Sequence, residues 1–349
     1  MRNAARSGIS LQRSLILAGL LCIQGFVAGC GMVETPDSDA SMGRTKEAEA
    51  ASVEGRKEGA WQPPAGHQQM LLWPGAAPNM EDVKLPPEYS ETKTNPNRFA
   101  GRPVTGVFNV AVPTLTVFPA KQPGNGAVIL VFPGGGFAKL AIDLEGIEVC
   151  DWLSSRGIAC VLVKYRVPKS NHHHDEDCNC GVTPKHLLAL QDAQRAIRLV
   201  RSRANELKIN PRKIGVIGFS AGGYLVAQTS TIFEPAYEPV DEIDKVSSRP
   251  DFAIAMFPGH LCRAAGSLDP GIKVTKMTPP TFLLQAWDDP VDPICNSTVY
   301  ARALDDAGVP AEVHLFARGG HAFAKRPIGH PVERWPTLVE DWLKDTGIF

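Results

Sequence analysis

The chain has 349 residues, 44% of them hydrophobic, and a formal net charge of −1. That apolar content suffices for a sizeable buried core and excludes wholesale disorder. A near-neutral chain without a basic block or stripe excludes nucleic acid as the main partner. Its glycines and prolines are plentiful but not periodic, which excludes collagen and repeat arrays.

Arg2, Arg6 and Arg13 precede an apolar stretch from Leu15 to Gly29, broken by Gln24. The stretch is shorter than the about 20 residues a membrane span needs. A basic start, apolar middle and small residues at the end read as a secretory signal over residues 1–30. It closes Val27-Ala28-Gly29-Cys30, which resembles the lipobox of bacterial lipoproteins. That resemblance implies lipidation of Cys30 and export to the cell envelope, with the chain anchored to the membrane rather than spanning it. The alternative is an ordinary signal peptide with an incidental cysteine. Cys22 fits less well, because Leu21 before it is bulky. Residues 31–60, dominated by Asp, Glu, Ser, Ala, Lys and Gly, read as a flexible tether. Export also exposes Cys150, Cys160, Cys178, Cys180, Cys262 and Cys295 to an oxidising compartment, and their pairing is left open by the sequence.

The folded part is expected over residues 61–349. Residues 61–100, rich in proline and asparagine, read as an irregular approach arm. Val104–Phe118 is broken by Pro113 and predicts one or two edge strands. Ala127–Phe132 is a short apolar run of the kind buried on both faces of a sheet. A helix is predicted around Ala141–Ser155, a second buried strand over Ile158–Lys164, and a long amphipathic helix over Leu187–Leu207, ended by Asn210-Pro211. Strands at Ile214–Gly218, Phe252–Phe257, Thr281–Ala286 and Glu312–Phe316 alternate with further helices, the last at Glu333–Lys344. Such alternation predicts a parallel sheet wrapped by helices on both faces, with ligands at the carboxyl ends of its strands.

Gly218-Phe219-Ser220-Ala221-Gly222 fits G-x-S-x-G, with a buried strand before it and helix-compatible residues after it. That context is a nucleophile elbow, where a serine sits on a tight strained turn and small neighbours let adjacent backbones pass close. The alternative is a purely structural strand-to-helix turn. A serine nucleophile needs a base, and the base needs an orienting carboxylate. His321 in Arg318-Gly319-Gly320-His321 is the preferred base, because it follows the last strand on a glycine turn. Among the other downstream histidines, His314 lies mid-strand and reads as structural, His330 sits in a proline-flanked loop, and His260 is placed to line the site. For the acid, Asp288, Asp289 and Asp292 all follow the Thr281–Ala286 strand, and Asp289 is preferred. Phe132-Pro133-Gly134-Gly135-Gly136-Phe137 offers backbone N–H groups to a developing oxyanion, jointly with the N–H of Ala221.

On these motifs the chain resembles the α/β-hydrolases, most closely bacterial acetyl esterases and acetylxylan esterases related to the hormone-sensitive-lipase-like group. Gln191-Asp192-Ala193-Gln194-Arg195-Ala196-Ile197 and the Asp-Asp-Pro loop carry the same likeness. The resemblance implies an eight-stranded, mostly parallel sheet and cofactor-free hydrolysis of carboxylic esters by Ser220, His321 and Asp289, with Gly135, Gly136 and Ala221 as oxyanion donors. Two departures stand out. Related lipases have histidine where this chain has Pro133, so the glycine loop must be braced differently. The acid loop often reads Val-Pro where this chain has Asp292-Pro293.

The stretch Asn171-His172-His173-His174-Asp175-Glu176-Asp177-Cys178-Asn179-Cys180 has metal-ligand chemistry but no second ligand cluster, and reads as an exposed polar loop without a metal. Cys178 or Cys180 is expected to pair with Cys262 or Cys295. A small lid is expected between Phe257 and Thr281, leaving the site open to a bulky ester such as an acylated polysaccharide. The competing readings are a serine exopeptidase of the same fold and a non-catalytic carbohydrate-binding surface lipoprotein.

Overall fold

The computed structural model describes residues 55–81, 83–93, 99–168, 174–175, 180–181 and 187–349. Eight strands form the main sheet: β1 (Gln69–Leu71), β2 (Thr114–Phe118), β3 (Val128–Phe132), β4 (Ala159–Lys164), β5 (Ile214–Phe219), β6 (Phe252–Met256), β7 (Thr281–Ala286) and β8 (Ala311–Phe316). Their order is β1-β2-β4-β3-β5-β6-β7-β8. From β4 to β8 every neighbour runs parallel, while β2 is antiparallel to both β4 and β1. Every residue of β3 to β7 is buried, which is why these strands read as unbroken apolar runs. The edge strands differ: β8 alternates between exposed and half-buried, and β1 is half-buried to exposed.

The helices are α1 (Glu148–Ser155), α2 (Leu188–Ser202), α3 (Ala204–Leu207), α4 (Ala221–Thr231), α5 (Cys295–Asp306) and α6 (Trp335–Asp345). Successive residues of a strand face opposite sides of the sheet, and two neighbours on β5 identify those sides. A Cβ on Gly218 would meet Val226 of α4, whereas the Phe219 ring meets Trp335 at the start of α6. Helices therefore cover both faces, with α2 against α4 on one and Trp152 of α1 against Trp335 on the other. The long helix expected over Leu187–Leu207 is two pieces, since Arg203 at φ −100° leaves the helical path after Ser202.

The approach arm is more ordered than its composition suggests. Arg56–Glu58, Tyr89–Lys93, Val104–Phe108 and Lys139–Ala141 form a second, antiparallel sheet in that order. Strands of three to five residues set between prolines carry no readable period, so the arm looks irregular in sequence. Arg56–Glu58 falls within the expected tether, and the Val104–Phe118 segment contributes one strand to each sheet.

Buried charges fasten the arm to α2. Asp192 accepts hydrogen bonds from Arg166 Nε at 2.9 Å and Trp73 Nε1 at 2.9 Å. Arg195 donates to Asp241 at 2.6 Å and Asp244 at 2.9 Å. Removing one partner of such a pair strands a buried charge, so these polar residues of α2 belong to the core.

Cys150–Cys160 joins α1 to β4, and Cys262–Cys295 joins the loop after β6 to the first turn of α5. The expected pairing of Cys178 or Cys180 with Cys262 or Cys295 is therefore wrong. The Asn296 side chain accepts the N–H groups of Leu261 and Cys262 at 2.8 and 2.7 Å, setting the two bonded cysteines side by side. Cys178 and most of the His172–Cys180 loop lie outside the described residues, as do the leader, Cys30 and most of the tether. Among the described residues no group of His, Cys, Asp and Glu is arranged to hold a metal, and no helix is long and apolar enough to cross a membrane.

Candidate active site

Ser220 stands between β5 and α4 with φ 53° and ψ −118°. Left-handed backbone at a residue with a Cβ costs on the order of 1–3 kcal/mol and persists only where its surroundings hold it. Here Ser220 N–H donates to the Met256 carbonyl at 3.0 Å, and the Ser220 carbonyl accepts the Gly259 N–H at 3.1 Å. The flanking glycines are needed for close approach. A Cβ on Gly218 would come within 2.0 Å of the Gly222 carbonyl oxygen, and one on Gly222 within 2.0 Å of the Phe132 oxygen. The turn therefore points the serine hydroxyl into a cavity of about 700 Å³ at the carboxyl end of the sheet.

His321 reaches the same cavity from the loop after β8. Its Nδ1 lies 2.8 and 3.0 Å from the two carboxylate oxygens of Asp289, whose side chain is fully buried. Asp289 also accepts the N–H groups of Val291 and Asp292 at 2.9 Å, so its carboxylate is fixed before it meets the imidazole. Asp288 takes a different part. It accepts the N–H groups of Gly319 and Gly320 at 2.9 and 2.7 Å and so ties the histidine loop to the acid loop. With Nδ1–H donating to Asp289, Nε2 carries the lone pair and faces the cavity. Burial opposes the imidazolium, but the hydrogen bond and charge of Asp289, with the charges of Asp292 and Glu145, outweigh it and raise the His321 pKa.

Asp292 is a third acid at this point. Ser220 Oγ donates to Asp292 Oδ2 at 3.1 Å, and the same oxygen is 3.8 Å from His321 Nε2. Among the described residues no hydrogen bond joins Ser220 to His321 directly. Contacts of this kind often close only when substrate arrives. Burial raises the Asp292 carboxyl to about 6, with His321 and the Ser220 hydroxyl opposing the rise.

The glycine loop lies opposite. Gly135 and Gly136 line the cavity, and among the described residues their N–H groups donate to no backbone or side-chain acceptor. Ala221 opens α4, where a helix leaves its first N–H groups free. Two groups brace the loop in place of the missing histidine. Tyr165 Oη donates to the Pro133 carbonyl, and Glu145 accepts the Gly134 N–H at 2.7 Å. Burial lifts the Glu145 carboxyl to about 7, against the opposing pull of His321. Sequence reasoning missed Glu145. The available signal was a carboxylate three residues before the start of α1, but nothing in sequence separates it from an ordinary helix-start acid.

His260 lines the cavity beside Phe137 and Tyr224, as expected. His314 pairs with Glu312 on β8 and His330 caps the short helix at Pro331–Arg334, so neither joins the site. The expected lid contributes only His260 to the cavity. The facing wall is instead the second sheet, through Glu91, Lys93, Gly106, Phe108 and Lys139.

Comparison with known proteins gives the fold its family. Residues 116–256 match the BD-FAE family. An acetylxylan esterase from Xylanibacter ruminicola is 30% identical over 251 residues, 66% of this chain and 48% of that protein. The endo-1,4-beta-xylanase B of Butyrivibrio fibrisolvens is 27% identical over 229 residues, 60% of this chain and 34% of that protein. The chain thus spans about half the length, or less, of the curated relatives it matches. The acetyl ester-xyloside bifunctional hydrolase of Caldicellulosiruptor lactoaceticus superimposes with a TM-score of 0.61 at 31% identity, over 81% of this chain and 97% of that chain. This chain belongs to the acetyl esterase-like α/β-hydrolases. Within this α/β-hydrolase, the expected site residues Ser220, Asp289, His321, Gly135, Gly136 and Ala221 all gather at one end of the sheet.

Proposed function

We propose that this α/β-hydrolase is a serine esterase that removes short acyl groups, acetyl foremost, from a carbohydrate. The observation that carries the reading is a strained serine facing a cavity that also holds a histidine paired to a buried aspartate. In the reaction Ser220 Oγ attacks the ester carbonyl and its proton passes to His321 Nε2. Asp289 stabilises the imidazolium, and the N–H groups of Gly135, Gly136 and Ala221 receive the negative oxygen. His321 then gives the proton to the departing alkoxide, leaving an acyl-serine. Water repeats the sequence and frees the acid. The acetylxylan esterase and xyloside hydrolase among the relatives support an acetylated xylan as substrate. Acetate release from acetylated xylan tests this, and an enzyme that turns over p-nitrophenyl acetate but leaves that polymer intact would refute the choice of substrate.

The base must be neutral to act, and its neighbours favour the charged form. The acid limb of kcat/KM is therefore expected above the ordinary histidine value of 6.5, with activity lost as pH falls through it. A pH profile with p-nitrophenyl acetate measures the midpoint, and a limb below that value would contradict the arrangement. Glu145 gives a second expectation. Glu145→Gln keeps an acceptor for Gly134, whereas Glu145→Ala releases the glycine loop and should cost about 10²-fold in kcat, since small misplacements are that expensive.

Export and a lipid anchor on Cys30 belong to the same reading. The Cys150–Cys160 and Cys262–Cys295 bonds support an oxidising compartment. Labelling with an alkyne fatty acid should mark the wild-type chain and not Cys30→Ala, and equal labelling of both would end the proposal.

A further inference from the structure

Asp292 lines the cavity beside the reacting atoms, yet the mechanism gives it no step. Its main chain is fixed, because Gln285 Nε2 donates to its carbonyl at 2.6 Å and its N–H donates to Asp289 at 2.9 Å. Its carboxylate is fitted against bare backbone. A Cβ on Gly259 would come within 2.6 Å of Asp292 Oδ1. Among the described residues no lysine or arginine pairs with it, the hydrogen bond it accepts at its carboxylate comes from Ser220, and its ion-pair neighbour is His321 at 3.8 Å.

That partnership cannot survive the reaction. When Ser220 attacks, its proton goes to His321, and the half-buried Asp292 loses its donor beside the reacting atoms. A carboxylate largely withdrawn from water and left without a donor is costly. The vacancy arises at a defined place. The leaving oxygen must approach His321 Nε2 to be protonated, and its carbon partner is bonded to Ser220 Oγ. Asp292 Oδ2, at 3.1 Å from Oγ and 3.8 Å from Nε2, borders that position. A hydroxyl on the carbon next to the ester-bearing carbon would be within reach of the same carboxylate oxygen.

We propose that Asp292 makes this enzyme selective for acyl groups carried on one hydroxyl of a vicinal diol, its carboxylate accepting a hydrogen bond from the neighbouring free hydroxyl as the ester is cleaved. The inference rests on the esterase reading above. It names the alcohol half of the substrate as a partially acylated sugar or polyol rather than a simple alcohol. Because the bond replaces the one Ser220 gives up, it strengthens on the way to the transition state and acts on kcat more than on KM.

The test compares trans-2-hydroxycyclohexyl acetate with trans-2-methoxycyclohexyl acetate and cyclohexyl acetate, each normalised to its rate of hydroxide hydrolysis. Wild type should favour the free hydroxyl by about 10- to 100-fold in kcat/KM, the range for a hydrogen bond to a charged group. Asp292→Val, which gives the loop the Val-Pro of related sequences, should bring the ratio close to unity. Asp292→Asn keeps a neutral acceptor and should fall between. A wild-type ratio near unity, or a full ratio retained in Asp292→Val, overturns the proposal. If the valine variant does not fold, an unchanged ratio in Asp292→Asn overturns it equally. Turnover of p-nitrophenyl acetate separates the two layers, because a wild type inert to every ester fails the esterase reading itself.

Discussion

Ser220→Ala is expected to lower kcat on p-nitrophenyl acetate by about 10⁴-fold or more, leaving only what binding and the oxyanion donors supply. The physical reason is narrow. Alanine keeps the Cβ, so the strained turn at φ 53° is neither relieved nor worsened. The backbone bonds to Met256 and Gly259 remain, and the N–H groups of Gly135 and Gly136 still face the cavity. Only the oxygen that attacks is removed, together with its bond to Asp292. Melting temperature should therefore change little while activity collapses. Comparable kcat in the two proteins would mean that another nucleophile acts.

Asp289→Asn is the second large effect, expected at about 10³- to 10⁴-fold in kcat. An asparagine there still accepts the N–H groups of Val291 and Asp292, so the acid loop stays in place. Its amide, however, presents donors to His321 Nδ1. The ring then carries its proton on Nε2, where a lone pair is required, and cannot take the serine proton. Asp288→Asn is the matched control. The amide oxygen still accepts the Gly319 and Gly320 N–H groups, so activity should stay within the same order of magnitude. Stopped activity in Asp288→Asn with normal activity in Asp289→Asn would reverse the two assignments.

The central sheet was legible because β3 to β7 are buried on both faces, and burial of that kind writes itself as short apolar runs. The serine elbow was legible for a related reason: Gly218 and Gly222 have no room for a Cβ, so the motif is enforced by packing. What the sequence hid depends on contacts far apart in the chain. Glu145 reaches Gly134 only because the second sheet and the π-helical turn Asp143–Ile147 bring them together. The strands of that second sheet are too short for periodicity, so the sequence points to the segment between Phe257 and Thr281 as the cavity's cover instead. Cys262 and Cys295 meet through Asn296, a contact that spacing alone does not reveal. The acid loop was a mixed case. Three aspartates in five residues could be ordered by likeness, but only their partners separate them: Asp288 on backbone N–H groups, Asp289 on Nδ1 and Asp292 on Oγ.

The central claim is that Ser220 is a nucleophile activated by His321. Diethyl p-nitrophenyl phosphate tests it most directly, because it phosphorylates a serine activated by its neighbours far faster than an ordinary one. The expected result is one diethylphosphoryl group per chain, mapped to the peptide containing Ser220, with esterase activity lost in step with labelling and no label on His321→Ala. Labelling of another residue, or full activity in a chain fully labelled at Ser220, would contradict the account.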